Sequence, residues 1–323
     1  MLLFENTLWI VLLAILLDAV IGDPDWLWSR LPHPVTLIGK LISYMDHTYN
    51  KPEYSRSMRK TNGVFALVAL LSCAAITGFI LQAVLSYMPF ADVLIALVGM
   101  TLIAQKSLYQ HVTRVRDALR YSGLAEARKQ VSMIVGRNPD YLDEAGVSRA
   151  AIESCSENFS DGVVAPIFWF AVLGLPGLFM YKAVNTADSM IGHRNETYED
   201  FGWASARFDD LINLPASRLS GLLIVLAALV SRRPYKAAAE TTLREAKNHR
   251  SPNAGWPEAA MAGALGVALA GPRQYAEYRV EDPFMNASGR TEANADDIDG
   301  ALKLIAISCA LLALFIAAAA LIL

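Results

Sequence analysis

Charge is scarce in this sequence. Asp, Glu, Lys and Arg make up 18% of its 323 residues, against about a quarter in a soluble domain. Hydrophobic residues reach 54%, which a soluble fold of this length buries only with difficulty, so the first reading is an integral membrane protein. The charge present does not lean basic. A formal net charge of −3 excludes a nucleic-acid binder, whose surface would be positive, and the apolar content excludes intrinsic disorder. Cysteine is rare as well. Cys73 and Cys309 stand in apolar runs and Cys155 stands alone, so neither a disulfide framework nor a zinc site is indicated.

Several signatures are missing. The chain has no G-x-x-x-x-G-K-[ST], no G-x-G-x-x-G after a strand, no C-x-x-C and no H-E-x-x-H, so any nucleotide binding is not of the P-loop kind. Asp161-Gly162 is not followed by the Ala-Arg and spaced aspartates of a membrane alcohol phosphotransferase.

What the sequence does have is long uncharged runs, and about 20 apolar residues suffice to cross the roughly 30 Å hydrocarbon core of a bilayer. Residues 61–91 carry no charge, Asp92 interrupts, and residues 93–105 form a second, shorter run. The link over 86–91 lacks Lys and Arg, while Arg30, Lys40, Lys51, Arg56, Arg59 and Lys60 precede the pair and eight more Lys or Arg fall in 104–162. The positive-inside rule then predicts a helical hairpin with its turn outside and both flanks in the cytoplasm. Residues 8–21 lack a basic start and a small-residue cleavage site, which makes a poor signal peptide and a better retained helix with its N-terminus outside. Residues 301–323 read as a further span. Residues 162–181, broken by Gly174-Leu-Pro-Gly177, and the shorter runs 217–231 and 259–272 read as spans, interfacial helices or re-entrant hairpins. Residues 108–135 read as helix with a cationic face, and 282–299, rich in Asn, Asp and Gly, as loop. With no repeat and no strand pattern, the class is all-α: a polytopic membrane protein with several transmembrane helices, broken or re-entrant ones, and cytoplasmic helical loops. Residues 1–323 form one membrane domain, with polar segments at 18–40 and 153–218.

Four polar blocks are dense in functional side chains. The first runs from Asp18, a carboxylate inside an apolar helix, through Gly22-Asp-Pro to Pro32-His33-Pro34-Val, where flanking prolines fix the backbone of His33. In the second, Glu153, Glu157 and Asp161 recur at four-residue spacing on one helical face; three like charges in a row invite a cation. The third contains Lys182, Asn185, Asp188, His193 and Arg194, and the fourth Arg207, Asp209, Asp210, Asn213 and Arg218. Aspartates with Asn suit a hard cation such as Mg²⁺, and the neighbouring Lys and Arg suit phosphate oxygens.

These blocks resemble one family in collinear order from about residue 15 to about 280. Gly-Asp-Pro with Pro-His-Pro-Val, Glu-Asn-x-Ser-Asp-Gly, Asn-Thr-x-Asp-Ser-Met-x-Gly, Phe-Gly-x-x-x-Ala-Arg-x-Asp-Asp and Ser-Pro-Asn-Ala-Gly-Trp-Pro-Glu are similar to the adenosylcobinamide-phosphate synthases, membrane proteins of cobalamin biosynthesis. The resemblance implies an ATP-dependent ligase that joins (R)-1-amino-2-propanol, or its O-phosphate, to a propionate carboxylate of adenosylcobyric acid. The implied setting is the cell (inner) membrane, with several crossings and an active site facing the cytoplasm. Implied partners are that corrinoid, the amine and the lipid bilayer, with no nucleic acid; a homo-oligomer or contact with other corrinoid enzymes stays open.

Chemical matching, rather than the resemblance, distributes the roles. A carboxylate condenses with an amine only after activation, which ATP supplies as an acyl phosphate while Mg²⁺ neutralises the phosphoryl charge. Glu157, Asp161, Asp188 and Asp210 are the expected Mg²⁺ ligands. Lys182, Asn185, Arg194, Arg207 and Arg218 are expected to hold substrate and phosphate. His33 or His193 is the expected base for the incoming ammonium, with Asp209 as a further catalytic carboxylate or metal ligand. All these blocks are expected in one site. That requires residues 162–181 to enter and return as two half-helices at Gly174–Gly177, because a single crossing would carry Asp188, Arg194, Arg207 and Asp209 away from cytoplasmic ATP. The competing reading is a membrane transporter or a corrinoid-binding protein without catalysis. A transporter favours paired broken helices in repeated halves, and only one such break is visible.

Overall fold

The computed structural model describes residues 6–322 apart from residue 137 and residues 275–278. In chain order the helices are α1 (Thr7–Val20), α2 (Asp25–Trp28), α3 (Pro34–Tyr49), α4 (Arg56–Ser86), α5 (Ala91–Met100), α6 (Gln105–Asp117), α7 (Leu124–Val131), α8 (Glu144–Phe159), α9 (Ala165–Ile191), α10 (Trp203–Ile212), α11 (Leu214–Val230), α12 (Tyr235–Glu245), α13 (Gly255–Leu265) and α14 (Ala295–Ile322). π-Helical turns at Ala118–Ser122 and Ser160–Val164 interrupt the series. Local chemistry starts the helices. Ser55 Oγ accepts the Met58 amide at 3.2 Å ahead of α4, and Asp143 Oδ1 accepts the Gly146 amide at 2.6 Å ahead of α8, both as N-caps.

Among the described residues four helical stretches are long and apolar enough to cross a membrane: Arg56–Ser86, Ala91–Ser122, Glu144–Ile191 and Ala295–Ile322. The pair α10 and α11, bent by 46°, makes a fifth if taken as one span. The expected hairpin is α4 followed by α5. Two expectations need correction. The chain is not strand-free, because β1 (Leu269–Gln274) and β2 (Arg279–Met285) pair antiparallel with an irregularity between Ala270 and Pro272. Residues 259–272 are thereby divided between β1 and α13, whose 11 residues rise only about 16 Å. Nor is 282–299 all loop, since β2 reaches Met285 and α14 begins at Ala295. The run of Asp296 and Asp297 that suggested a loop forms the first turn of that helix, where carboxylates meet the positive end of the helix dipole.

The chain forms two compact units, residues 1–104, 165–213 and 316–323 in the first, and 105–164 and 214–315 in the second. In the first, α4 packs along α9, and Leu67, Val184 and Ala204 join α4, α9 and α10 in an apolar cluster. The expected interruption of α9 lies at Gly174, whose φ of 69° and ψ of −157° leave the helical region. A β-carbon on Gly177 would stand 2.4 Å from the carbonyl oxygen of Trp169, eight residues earlier and about 12 Å away along an unbroken helix. The chain therefore folds sharply there, and 165–173 and 175–191 are separate helices. The amide of Leu175, released by the break, donates to Gln82 Oε1 of α4 at 2.7 Å in a buried bond. Gly78, one turn earlier on α4, makes room for the backbone of Pro176, 2.7 Å from where its β-carbon would be.

In the second unit α13 is flanked by α11 and α12. Buried Glu153 of α8 accepts the Ala270 amide of β1 at 2.9 Å. Arg116 and Arg120 close on Asp299 at 2.5 and 2.6 Å, tying α6 and the following π-turn to the start of α14.

Candidate functional site

The polar residues of the first unit gather at the C-terminal end of α9, in the loop after it, and on α10. Tyr181, Asn185 and Asp188 follow one another at helical spacing, and Asp209, Asp210 and Asn213 come from α10 and its C-cap. Asp209 is buried. Its Oδ2 accepts from Asn213 Nδ2 at 2.9 Å, its buried Oδ1 has no hydrogen-bond partner among the described residues, and the Tyr181 hydroxyl donates to Asn213 Oδ1 at 3.0 Å. A buried carboxylate is thus held through one oxygen by a neutral donor, and its other oxygen is left unsatisfied.

Asp188 is partly buried and lies within electrostatic reach of Asp209, Asp210 and His193. Gly192 creates its position, because a β-carbon there would fall 2.1 Å from Asp188 Oδ1. Asp210 faces Arg207 at 3.8 Å and feels Arg194. His193, Arg194 and Arg207 are exposed, and Lys182 is partly buried on α9. Three neighbouring carboxylates repel one another, and two exposed guanidiniums stand at their edge.

The loop bearing His193 and Arg194 is tied down on its far side. Asn50 Nδ2 donates to the Thr197 carbonyl at 3.1 Å, Arg56 pairs with Glu199 and Asp200 at 2.8 and 3.0 Å, and the Tyr198 hydroxyl donates to Asp46 Oδ2 at 3.2 Å. Burial, then the charge of Asp46 and the hydrogen bond to it, push the Tyr198 phenol above its ordinary value.

The first polar block approaches the same end of α9, with Gly39 of α3 facing the Met190 thioether. His33 caps α3. Its Nδ1 accepts the Val35 amide at 3.2 Å, its Nε2 lies 3.5 Å from Asp23 Oδ1, and its ring meets Trp28 edge-on at 4.5 Å. Both nitrogens are engaged, whereas His193 is exposed beside Asp188.

The second unit holds the remaining expected residues. Glu153 faces inward to Ala270, Glu157 is exposed, and Asp161 is partly buried in the π-turn after α8, a kind of turn common at functional sites. Among the expected metal ligands, Glu157 and Asp161 thus belong to this unit and Asp188 and Asp210 to the other. Among the described residues no group of three or more His, Cys, Asp or Glu is placed to hold a metal ion. Arg218 of α11 bonds through Nη1 to Ser217 Oγ at 2.8 Å and Asn253 Oδ1 at 2.9 Å, and lies 4.7 Å over the Trp256 ring.

Asn253 and Trp256 were not foreseen as site residues, nor was the buried pair His249 and Glu258, 3.8 Å apart. Their signal was the Ser-Pro-Asn-Ala-Gly-Trp-Pro-Glu run itself. Ser251 Oγ accepts the amides of Asn253 and Ala254 at 3.2 Å, which fixes the turn entering α13 and aims Asn253.

Fold and polar clusters define a class: a helical membrane protein that carries acid, amide and guanidinium groups suited to anionic substrates. The chain belongs to the CobD/Cbib protein family, whose model matches residues 11–305. It is 52% identical over 315 residues to the cobalamin biosynthesis protein CobD of Rhizobium meliloti (strain 1021), covering 97% of this chain and 96% of that one. Over 321 residues it is 51% identical to the protein of the same name from a Sinorhizobium species, covering 98% and 99%. The Rhodobacter capsulatus protein of that name is 45% identical over 290 residues, covering 88% of this chain and 89% of its own. No solved structure matches the chain.

Proposed function

We propose that this chain works in cobalamin biosynthesis as an ATP-dependent acid–amine ligase, joining (R)-1-amino-2-propanol or its O-phosphate to a propionate carboxylate of adenosylcobyric acid. The names of the relatives support the pathway. The observation that carries the chemistry is the packing of Asp188, Asp209 and Asp210 with Asn185 and Asn213 beside exposed Arg194 and Arg207. Asp188 and Asp210 suit Mg²⁺, which takes one or two carboxylates and completes its shell with water and substrate phosphates. When bound, Mg²⁺ supplies charge neutralisation on the transferring phosphoryl group.

In this reading Arg194, Arg207 and Lys182 hold phosphate oxygens, and Asp209, fixed by Asn213, orders the floor of the cluster. A propionate oxygen attacks the γ-phosphorus and ADP departs, leaving an acyl phosphate. The amine nitrogen then attacks the acyl carbon and phosphate leaves, while the ammonium proton passes to exposed His193. His33 positions α3. Since ATP is cytoplasmic, the proposal sets this cluster on the cytoplasmic side of the cell membrane.

The test is purified full-length chain with Mg-ATP, adenosylcobyric acid and either amine, read by product mass and ADP release. The expected result is an amide product, with ADP formed only when acid and amine are both present. ADP release that ignores either partner, or no product with either amine, overturns the reading.

A further inference from the structure

Three arginines of the second unit close on carboxylates, and Arg128 and Arg149 on the carbonyls of Leu142 and Thr291. Arg116 and Arg120 meet Asp299 at 2.5 and 2.6 Å, and Arg290 meets Asp297 at 2.7 Å. Arg218 does not. It is partly buried, yet its partners are all neutral: Ser217 Oγ at 2.8 Å, Asn253 Oδ1 at 2.9 Å and the Trp256 ring at 4.7 Å. Among the described residues no acidic group acts on it. Removing a guanidinium from water without a counter-charge is costly, so the charge is retained for something other than the fold.

The geometry says what that is. Both hydrogen bonds fall on Nη1, and Nε and Nη2 make none among the described residues. Ser217 and Asn253 are themselves buried, at 0% and 5% exposure, so the anchored edge is held by rigid groups. The indole of Trp256 supports the guanidinium plane by a cation–π contact. A planar fork with one edge fixed and a face stacked presents its other edge already oriented for two parallel bonds to an oxyanion. That edge matches the oxygen spacing of a phosphate or a carboxylate.

We propose that Arg218, Trp256 and Asn253 form an oxyanion clamp that receives a phosphate or carboxylate of a substrate on the Nε–Nη2 edge of Arg218. The proposal deepens the ligase reading and rests on it for the choice of anions. Asn253 and Trp256 are positioning residues, and Arg218 makes the contact.

The experiment measures binding without turnover. Full-length protein in detergent is titrated calorimetrically with ATP, 1-amino-2-propanol O-phosphate, inorganic phosphate and acetate, each alone. The variants are R218K, which keeps the charge and loses the fork, W256L, which loses the stack, and N253D, whose carboxylate closes on the guanidinium from within. The expected result is that R218K and N253D each weaken at least one of these anions by about tenfold or more, and W256L by several-fold, with melting transitions near that of the unmodified chain. A loss confined to ATP assigns the clamp to the nucleotide, a loss confined to aminopropanol phosphate to the amine, and a loss for acetate to the corrinoid propionate. Where one variant does not fold, the other two carry the comparison. The proposal is overturned if the folded variants bind all four anions as the unmodified chain does, or if that chain binds none. An intact clamp in a chain that forms no amide would remove the ligase reading alone, and normal amide synthesis with unaltered binding in R218K would remove the clamp alone.

Discussion

The carboxylate of Asp188 occupies the space where a β-carbon on residue 192 would stand, 2.1 Å from Oδ1. Gly192→Ala is therefore expected to push that carboxylate aside. If Asp188 serves the reaction, displacement by about an ångström lowers turnover on the order of a hundredfold, with a melting shift of about a few degrees. Turnover and thermal unfolding measured on the same preparation check this; undiminished turnover would separate Asp188 from the chemistry.

Asp188→Asn and Asp210→Asn each remove one charge from a group of three aspartates. Where Mg²⁺ has few protein ligands, losing one raises the Mg²⁺ needed for half-maximal turnover by at least about tenfold. Normal rates at low Mg²⁺ in both variants would retire the metal assignment.

Gln82→Leu leaves the Leu175 amide buried without its acceptor. The expected cost is about 1–3 kcal/mol of stability, read as a lower midpoint in denaturant or heat. An unchanged midpoint would mean that packing, not the hydrogen bond, holds the break.

Much of this architecture was legible beforehand for one reason: hydrocarbon forces long uncharged runs, and such runs are easy to see. The hairpin of α4 and α5 and the interruption at Gly174 followed from charge gaps and from Gly-Leu-Pro-Gly. Gln82 was not legible, since a single amide in an apolar helix gains its meaning only from a partner 93 residues away. The β1–β2 pair escaped because its strands are short and carry Pro272 and Pro283 against the strand pattern. Within the site, charged residues drew notice and neutral ones did not. Asn213 beside Asp209, and Asn253 and Trp256 around Arg218, act by holding a charged neighbour, which spacing in sequence does not reveal.

Tyr198 offers a pH test outside the membrane helices. Its phenol is neutral when protonated, and burial together with Asp46 raises its folded pKa. The stability this contributes is fully present below the ordinary tyrosine value near 10 and is lost as pH climbs through the raised one. Tyr198→Phe is expected to flatten the alkaline fall in melting temperature. An identical fall in the variant would show that another group causes it.

Sidedness is checked by a cysteine at Asn195 in a background lacking Cys73, Cys155 and Cys309. In intact cells it is expected to resist an impermeant thiol reagent and to react after the inner face is opened. Labelling from outside alone would put the Asp188 cluster away from ATP.

The bond between Gln82 and Leu175 also imposes an order on synthesis. The helical run from Glu144 through the π-turn breaks at Gly174, and the Leu175 amide just beyond is one that lipid cannot satisfy. That amide finds its acceptor on a helix made earlier, since chains are built from the N-terminus. The break is thus satisfied in lipid only once docked, received by a helix that reached the membrane before it. Moving α4 to the end of the chain would strand it during insertion even though every contact of the finished protein remained available.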